Sequence, residues 1–342
     1  MKIFWLLCGN QKVPSSRIHG INVHLQLVRL GYPSFLVHVP FFYTEDIIWN
    51  SLFVSFFIDS LVAGDIVIFQ KLSGPKTLAL VDGVKNVNAK TIFIDCDLPV
   101  KSSMAKCIDQ IICPSQSLAD YYINLGHKNV KIIFDAVEVF KKPVPLKFVS
   151  KKIIWFGKSG LGKWELISQI KNFVFPQIAP NWIVFTLSNH ENSDYDWDVE
   201  TFDQIISKHD LCIIPIDKSE SNLVKSANRC TQSMALGVPV LTNFLESYSR
   251  IIVNFQNGLM SDDFNEWKDF LIKCEDPRFL NDLKMKAYED SLNFSIEYII
   301  KDWINLLGLC DKKKIKFRKI KDIFLYSFLY QKLACSRIFY ER

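Results

Sequence analysis

Short, almost wholly apolar runs recur along the chain, and stretches with apolar residues every three or four positions fall between them. In the first half the runs are KIFWLLCG, SFLVHV, DIVIFQ, AKTIFID, DQIICPS and NVKIIFD. Each is too short for a buried helix and reads as a buried strand. Helical spacing covers Ser16–Leu30, Asp46–Val62, residues 75–87 and Ser115–Leu125. Strands apolar on both sides, alternating with helices, predict a parallel sheet with helices on both faces.

Residues 138–152, EVFKKPVPLKFVSKK, break this rhythm with two prolines and five lysines, and read as an exposed linker. Alternation then restarts: IIWFG, a helix over 163–174, NWIVFTLS, a helix over 199–208, DLCIIP, a helix over 226–236 and VPVLTN. Three helical stretches follow, Asp262–Cys274, Pro277–Leu292 and Ser295–Leu307. The expectation is an α/β protein of two doubly wound, Rossmann-like domains, 1–140 and 150–305, facing a cleft, with a tail over 306–342. A length of 342 residues fits two cores better than one. Ligands in such sheets sit beyond the carboxyl ends of the strands.

Charge changes the picture at one end only. Residues 312–342 carry ten Lys/Arg against two Asp/Glu, leaving a net −3 for the rest of a chain whose total is +5. The tail interleaves these cations with Phe, Ile, Leu and Tyr. That suits either an anionic membrane surface or a helix packed back on the first domain. No nucleic-acid motif accompanies the charge, so no nucleic-acid partner is expected. Nine scattered cysteines, several inside apolar runs, point to a reducing, cytoplasmic setting without a disulfide framework. No signal peptide is recognised, and the longest apolar stretch, Ile47–Val62, is too polar for a membrane span. The six histidines show no metal-ligand spacing, and no serine-nucleophile elbow appears.

Two turns of the second half are candidate anion sites. IIWFGKSGLGKW (153–164) ends a strand in a glycine loop, Gly157 included, that carries Lys158 and Lys163. Glycines let backbone N–H groups approach an anion, and lysines add charge. LVKSANRCTQSMALGVPVLTN (223–243) opens a helix with Lys225 and Arg229, four apart and so expected on one helical face. Ser226 and Asn228 are expected to cap that helix or to donate to a ligand, and Gln232 to reach a ribose or sugar hydroxyl. Two such loops in one domain fit a diphosphate. In the first half, PSSRIHG (14–20) offers Arg17 and His19 to the cleft as acceptor or phosphate ligands, with helix capping by Ser15 or Ser16 as the plainer reading. IFIDCDLP (92–99) places Asp95 and Asp97 at a strand end. Asp97 is the candidate base toward an acceptor hydroxyl, and Asp95 is placed on the acceptor side.

These blocks resemble the retaining nucleotide-sugar glycosyltransferases of the GT-B fold, family 4. The resemblance rests on Gly157, Lys158 and Lys163, on HDLCIIP (209–215), on QSMALGVPVL (232–241), and on Asn257–Met260. It extends to DQIICPSQSLADYYINLG and VKIIFDAVE in the first half. It implies sugar transfer with retention from a nucleotide-diphosphate sugar to a saccharide or lipid-linked acceptor, without a metal or other cofactor. Surface-polysaccharide assembly and a peripheral place on the membrane's inner face go with it. The chain departs from the family where two glutamates eight apart are usual: Val224 and Gln232 stand there. DAVE (135–138) replaces the usual Asn-Gly-Val-Asp. Two other readings stand beside it: a GT-B binding or scaffold protein without catalysis, and a metal-dependent GT-A transferase using Asp95 and Asp97. The acidic loop NSDYDWD (192–198) lacks the glycine and terminal glutamate of a calcium loop and reads as solvated surface.

Overall fold

The computed structural model describes residues 1–160 and 162–309. It contains two six-stranded, wholly parallel sheets. The first comprises β1 (Ile3–Leu7), β2 (Ser34–His38), β3 (Ile66–Gln70), β4 (Lys90–Ile94), β5 (Gln110–Cys113) and β6 (Val130–Ile132). Its order is β2-β1-β3-β4-β5-β6. The second comprises β7 (Lys152–Phe156), β8 (Ile183–Ser188), β9 (Tyr195–Asp196), β10 (Leu211–Ile214), β11 (Val240–Thr242) and β12 (Gly258–Met260), in the order β12-β11-β10-β7-β8-β9. In both, the order reverses at the first strand, which makes the switch point where doubly wound sheets hold ligands.

The apolar runs form strands because both faces of each are covered. In β1, Phe4 and Leu6 join one core while Ile3, Trp5 and Leu7 join another on the opposite face. The second sheet repeats this, with Ile153 and Trp155 on one side and Ile154 and Phe156 on the other. The period of two is the pleat itself.

Helix ends differ from those that apolar spacing predicts. Asp46–Val62 yields a helix only over Ser51–Asp59, because the Asn50 side chain accepts from the Leu52 and Phe53 amides and caps it there. The Ser16–Leu30 helix starts at Pro14 and passes through a wide π turn at Arg17–Ile21. That turn brings Arg17, Ile18, His19 and Gly20 inside together. Gly20 is required there: a Cβ would sit 2.6 Å from the Leu7 side chain. Neither Ser15 nor Ser16 caps this helix; Val13 stands at the cap position, and Ser16 Oγ donates to Gln70 Oε1 at 3.0 Å. The acidic loop 192–198 is more than solvated surface. Asp194 accepts from the Thr186 amide and hydroxyl, and Tyr195–Asp196 forms the edge strand β9.

The domain boundary differs from the expected 150–305. The Ile296–Leu306 helix packs on the first sheet, where Ile299, Ile300 and Trp303 share a core with Ile3 and Trp5. The two indole rings lie 5.5 Å apart. The chain therefore passes between the units twice, near 133–151 and again near 291–295, and the crossings meet at the Val137–Ser295 bridge. An apolar stripe spaced for a helix does not say which sheet it covers. The basic tail, 312–342, lies outside the described residues.

Candidate functional site

The carboxyl ends of the second sheet gather three cations. Arg229, in the first turn of the Asn228–Ala235 helix, extends across the end of β7, and its Nη1 donates to the Phe156 carbonyl at a long 3.5 Å. The approach needs Gly157, where a Cβ would stand 3.2 Å from that Nη1. Lys163 opens the Lys163–Gln169 helix and lines one narrow cavity with Arg229, Trp155, Leu166, Pro215, Ile216, Asp217 and Asn222. Burial, and then the charges of Arg229 and Lys225, push the Lys163 ammonium down to about 8. Asp97 and Asp217 only partly offset this. Lys225 and Arg229 are thus each within electrostatic reach of Lys163. Among the described residues, neither Lys163 nor Arg229 has a carboxylate within ion-pair distance.

The helix itself begins later than expected. Lys225 and Ser226 precede it, Ala227 occupies the cap position, and neither Ser226 nor Asn228 caps it with a side chain. Lys225 and Arg229 therefore converge through a turn and not along one helical face. The first-turn amides lack a side-chain acceptor, which leaves the positive end of the helix beside the cations. Lys158 is exposed and does not line the cavity.

Lys225 reaches across to the first unit and pairs with Asp97 Oδ1. Its loop is fixed from both sides: Ser115 Oγ donates to the Val224 carbonyl at 2.6 Å, and Ser247 Oγ to the Lys225 carbonyl at 2.8 Å. Val224 is buried in the core of the first unit. A glutamate at that position would place a carboxylate among apolar side chains, which accounts for the departure from the family pattern.

Asp97 also accepts from Lys71 Nζ at 2.7 Å. Burial would raise its carboxyl, but Lys71 and Lys225 outweigh burial and hold it at about 2. Such a carboxylate is a poor base near neutral pH, so the structure does not support Asp97 as the base toward an acceptor. Asp95 does not face an acceptor either. It is fully buried, accepts from the Tyr122 hydroxyl at 2.5 Å, and is pushed up to about 6 by burial against the opposing pull of that hydrogen bond. The two carboxylates of Asp-Cys-Asp thus serve different partners. Together with the two-sheet architecture, this overturns the GT-A reading.

Arg17 and His19 do lie at the seam between the units, each with an acid. Arg17 Nε and Nη2 bind Glu138 at 2.5 and 2.9 Å, and His19 Nε2 lies 2.5 Å from Asp135 Oδ1. Gln232 holds the linker backbone, accepting from the Glu138 amide at 3.0 Å and donating to the Val139 carbonyl at 2.8 Å. Its amide is engaged at the hinge, so a ribose role would require breaking these bonds. DAVE supplies both acids of this seam.

Lys71 is the site residue that sequence reasoning missed. It follows β3 in the left-handed region, φ 56°, and also lies 3.4 Å from Glu45, which Lys101 binds at 2.7 Å. A lysine directly after the buried strand IVIFQ was the available signal. Non-glycine residues in that region cluster at functional sites.

Comparison with solved structures follows the same lines. A glycosyltransferase from Rickettsia africae ESF-5 superposes with a TM-score of 0.65 at 11% identity, over 91% of this chain and 100% of its own. Anabaena Alr3699/HepE, solved with UDP and glucose, gives 0.63 at 13%, over 90% and 100%. TarM gives 0.58 at 15%, over 75% of this chain, which spans only 58% of TarM. No protein-family model and no curated protein sequence matches. The class is thereby defined: two facing parallel sheets in the GT-B arrangement of these glycosyltransferases. Among the described residues, no helix is long and apolar enough to cross a membrane.

Proposed function

We propose that the protein is a glycosyltransferase that binds a nucleotide-diphosphate sugar at the carboxyl ends of the second sheet. Lys163, Arg229 and Lys225 bind the diphosphate, aided by the free first-turn amides at Asn228 and the glycine loop at Gly157. One observation carries this reading: three cations converge, and among the described residues two have no carboxylate within ion-pair distance. Half-buried like charges brought together are unfavourable unless an anion joins them. HepE, of the same fold, was solved with UDP-glucose, which supports a nucleotide sugar as donor.

As the sugar–phosphate bond breaks, negative charge grows on the leaving oxygen. Fixed cations beside it act most strongly in the transition state. Lys225 and Arg229 are the residues assigned this role. The acceptor, a saccharide or lipid-linked saccharide, enters from the first unit near Lys71 and Asp97. Transfer proceeds with retention by attack on the face the leaving group vacates, and no group is required as a strong base. Residues 312–342 contact an anionic membrane surface in this proposal.

A screen of nucleotide sugars against the purified full chain, with and without EDTA, tests it. The expected result is turnover or hydrolysis of at least one donor, insensitive to chelation. Sensitivity to EDTA would reinstate a metal. A second reading, a GT-B binding protein without catalysis, is favoured by Val224 and Gln232 at the usual glutamate positions. Donor binding without turnover for any acceptor would select it.

A further inference from the structure

The donor reading gives Lys225 to the diphosphate, yet Lys225 is already paired with a carboxylate of the other unit. We propose that Asp97 is a built-in competitor of the donor diphosphate for Lys225, and that their exchange opens and closes a latch between the two units. This rests on the donor reading of the same cations.

Several observations converge on it. The Asp97–Lys225 pair bridges residues 128 apart in sequence and belonging to different sheets. Both side chains remain about one-third exposed, 33% and 31%, so the pair is accessible and only moderately strong. Asp97 does not depend on Lys225 for a partner, because Lys71 holds its other oxygen. Exchange of Lys225 to another anion therefore leaves no buried carboxylate unpaired. Lys163 lies within electrostatic reach of Lys225 and Arg229, and among the described residues neither Lys163 nor Arg229 has a carboxylate within ion-pair distance, so a ligand bound by them offers Lys225 a second anion. A diphosphate carries more charge than one carboxylate and accepts at several oxygens, so it prevails over Asp97. The latch also has a mechanical link, since the Lys225 loop is seated on the first unit through Ser115 and Val224. Movement of Lys225 is thus transmitted to the contact between the units.

The test uses inorganic pyrophosphate, the moiety common to all such donors, with the full chain. Affinity is measured by calorimetry, and the radius of gyration by small-angle scattering without ligand. Asp97→Asn is expected to bind pyrophosphate about two- to fivefold more tightly, the upper part of the range for losing one partly exposed ion pair as competitor. It is also expected to be expanded relative to the native protein. Because Asp97→Asn deprives the buried Lys71 of its nearer carboxylate and leaves it only Glu45 at 3.4 Å among the described residues, Asp97→Asn/Lys71→Met is made in parallel and is expected to show the same two changes. Asp262→Asn is the control: it removes an exposed carboxylate of the second unit that pairs with Lys218 of the same unit, outside the cavity, and less than a twofold change with native dimensions is expected. Native affinity and dimensions in both Asp97 variants would end the latch. Equal tightening in Asp262→Asn, without expansion of the Asp97 variants, would reduce the effect to a general field and also end it. Lys163→Ala separates the two levels: if it leaves pyrophosphate binding unchanged, the donor reading itself fails. If it weakens binding while the Asp97 variants behave as native, only the latch fails.

Discussion

The carboxyl ends of the two sheets differ in how their charges are matched. At the first sheet four basic side chains each meet an acid: Lys71 with Asp97 and Glu45, Lys101 with Glu45, Arg17 with Glu138, His19 with Asp135. At the second sheet Lys163 and Arg229 have none among the described residues, and Lys225 borrows Asp97 from the opposite unit. A surface whose charges are matched internally is already complete. One whose cations are left over is prepared for an outside anion. The same fold, used twice, thus gives one structural end and one binding end.

The largest test of this contrast is Arg229→Ala. Loss of one donor aimed at developing charge costs roughly a hundredfold or more in turnover, and a thermal melt should stay near native, since Arg229 has no ion-pair partner to strand. A large fall in melting temperature would place Arg229 with the structural groups instead. Next is Tyr122→Phe at the first sheet. It removes the hydroxyl that Asp95 accepts from and should cost about 1–3 kcal/mol in denaturant stability, with donor binding unchanged. Changed donor affinity there would blur the division between the two ends.

Lys163 gives a pH test. Its ammonium, held at about 8 by burial and its cationic neighbours, is protonated below that pH and neutral above it. Donor affinity should be flat below about 8 and fall as pH rises beyond. Lys163→Arg, charged throughout, should abolish the fall. For stability the sign is opposite: a lysine lowered in the folded state is unfavourable when charged, so that cost disappears between about 8 and its ordinary value. Smallest of all, Lys158→Ala should change donor affinity by less than about threefold, because an exposed lysine beside the site acts through screened charge alone. A larger loss would extend the site onto the glycine loop.

Much of the fold is readable from the chain because buried parallel strands have no polar face. IFWLL, IVIFQ and LCII could be placed without knowing their neighbours. Helix ends were less readable, since they depend on single caps such as Asn50, and on wide turns such as Arg17–Ile21. The cation cluster was visible as Lys163, Lys225 and Arg229, but its construction was not: the expected helical face is a turn. The pairing of Asp97 with Lys71 and Lys225 joins positions far apart in sequence, and no local spacing encodes it. Gln232 shows the same limit, because its amide serves a linker that periodicity treats as mere connection.

The return of Ile296–Leu306 to the first sheet has a mechanical consequence. Two backbone spans join the halves side by side, as a door is hung on paired pins. Swinging about the line through both is permitted, whereas sliding or twisting one half past the other would stretch a span. A fragment cut at residue 150 would expose the Ile3 and Trp5 face to water, so neither half is a detachable part.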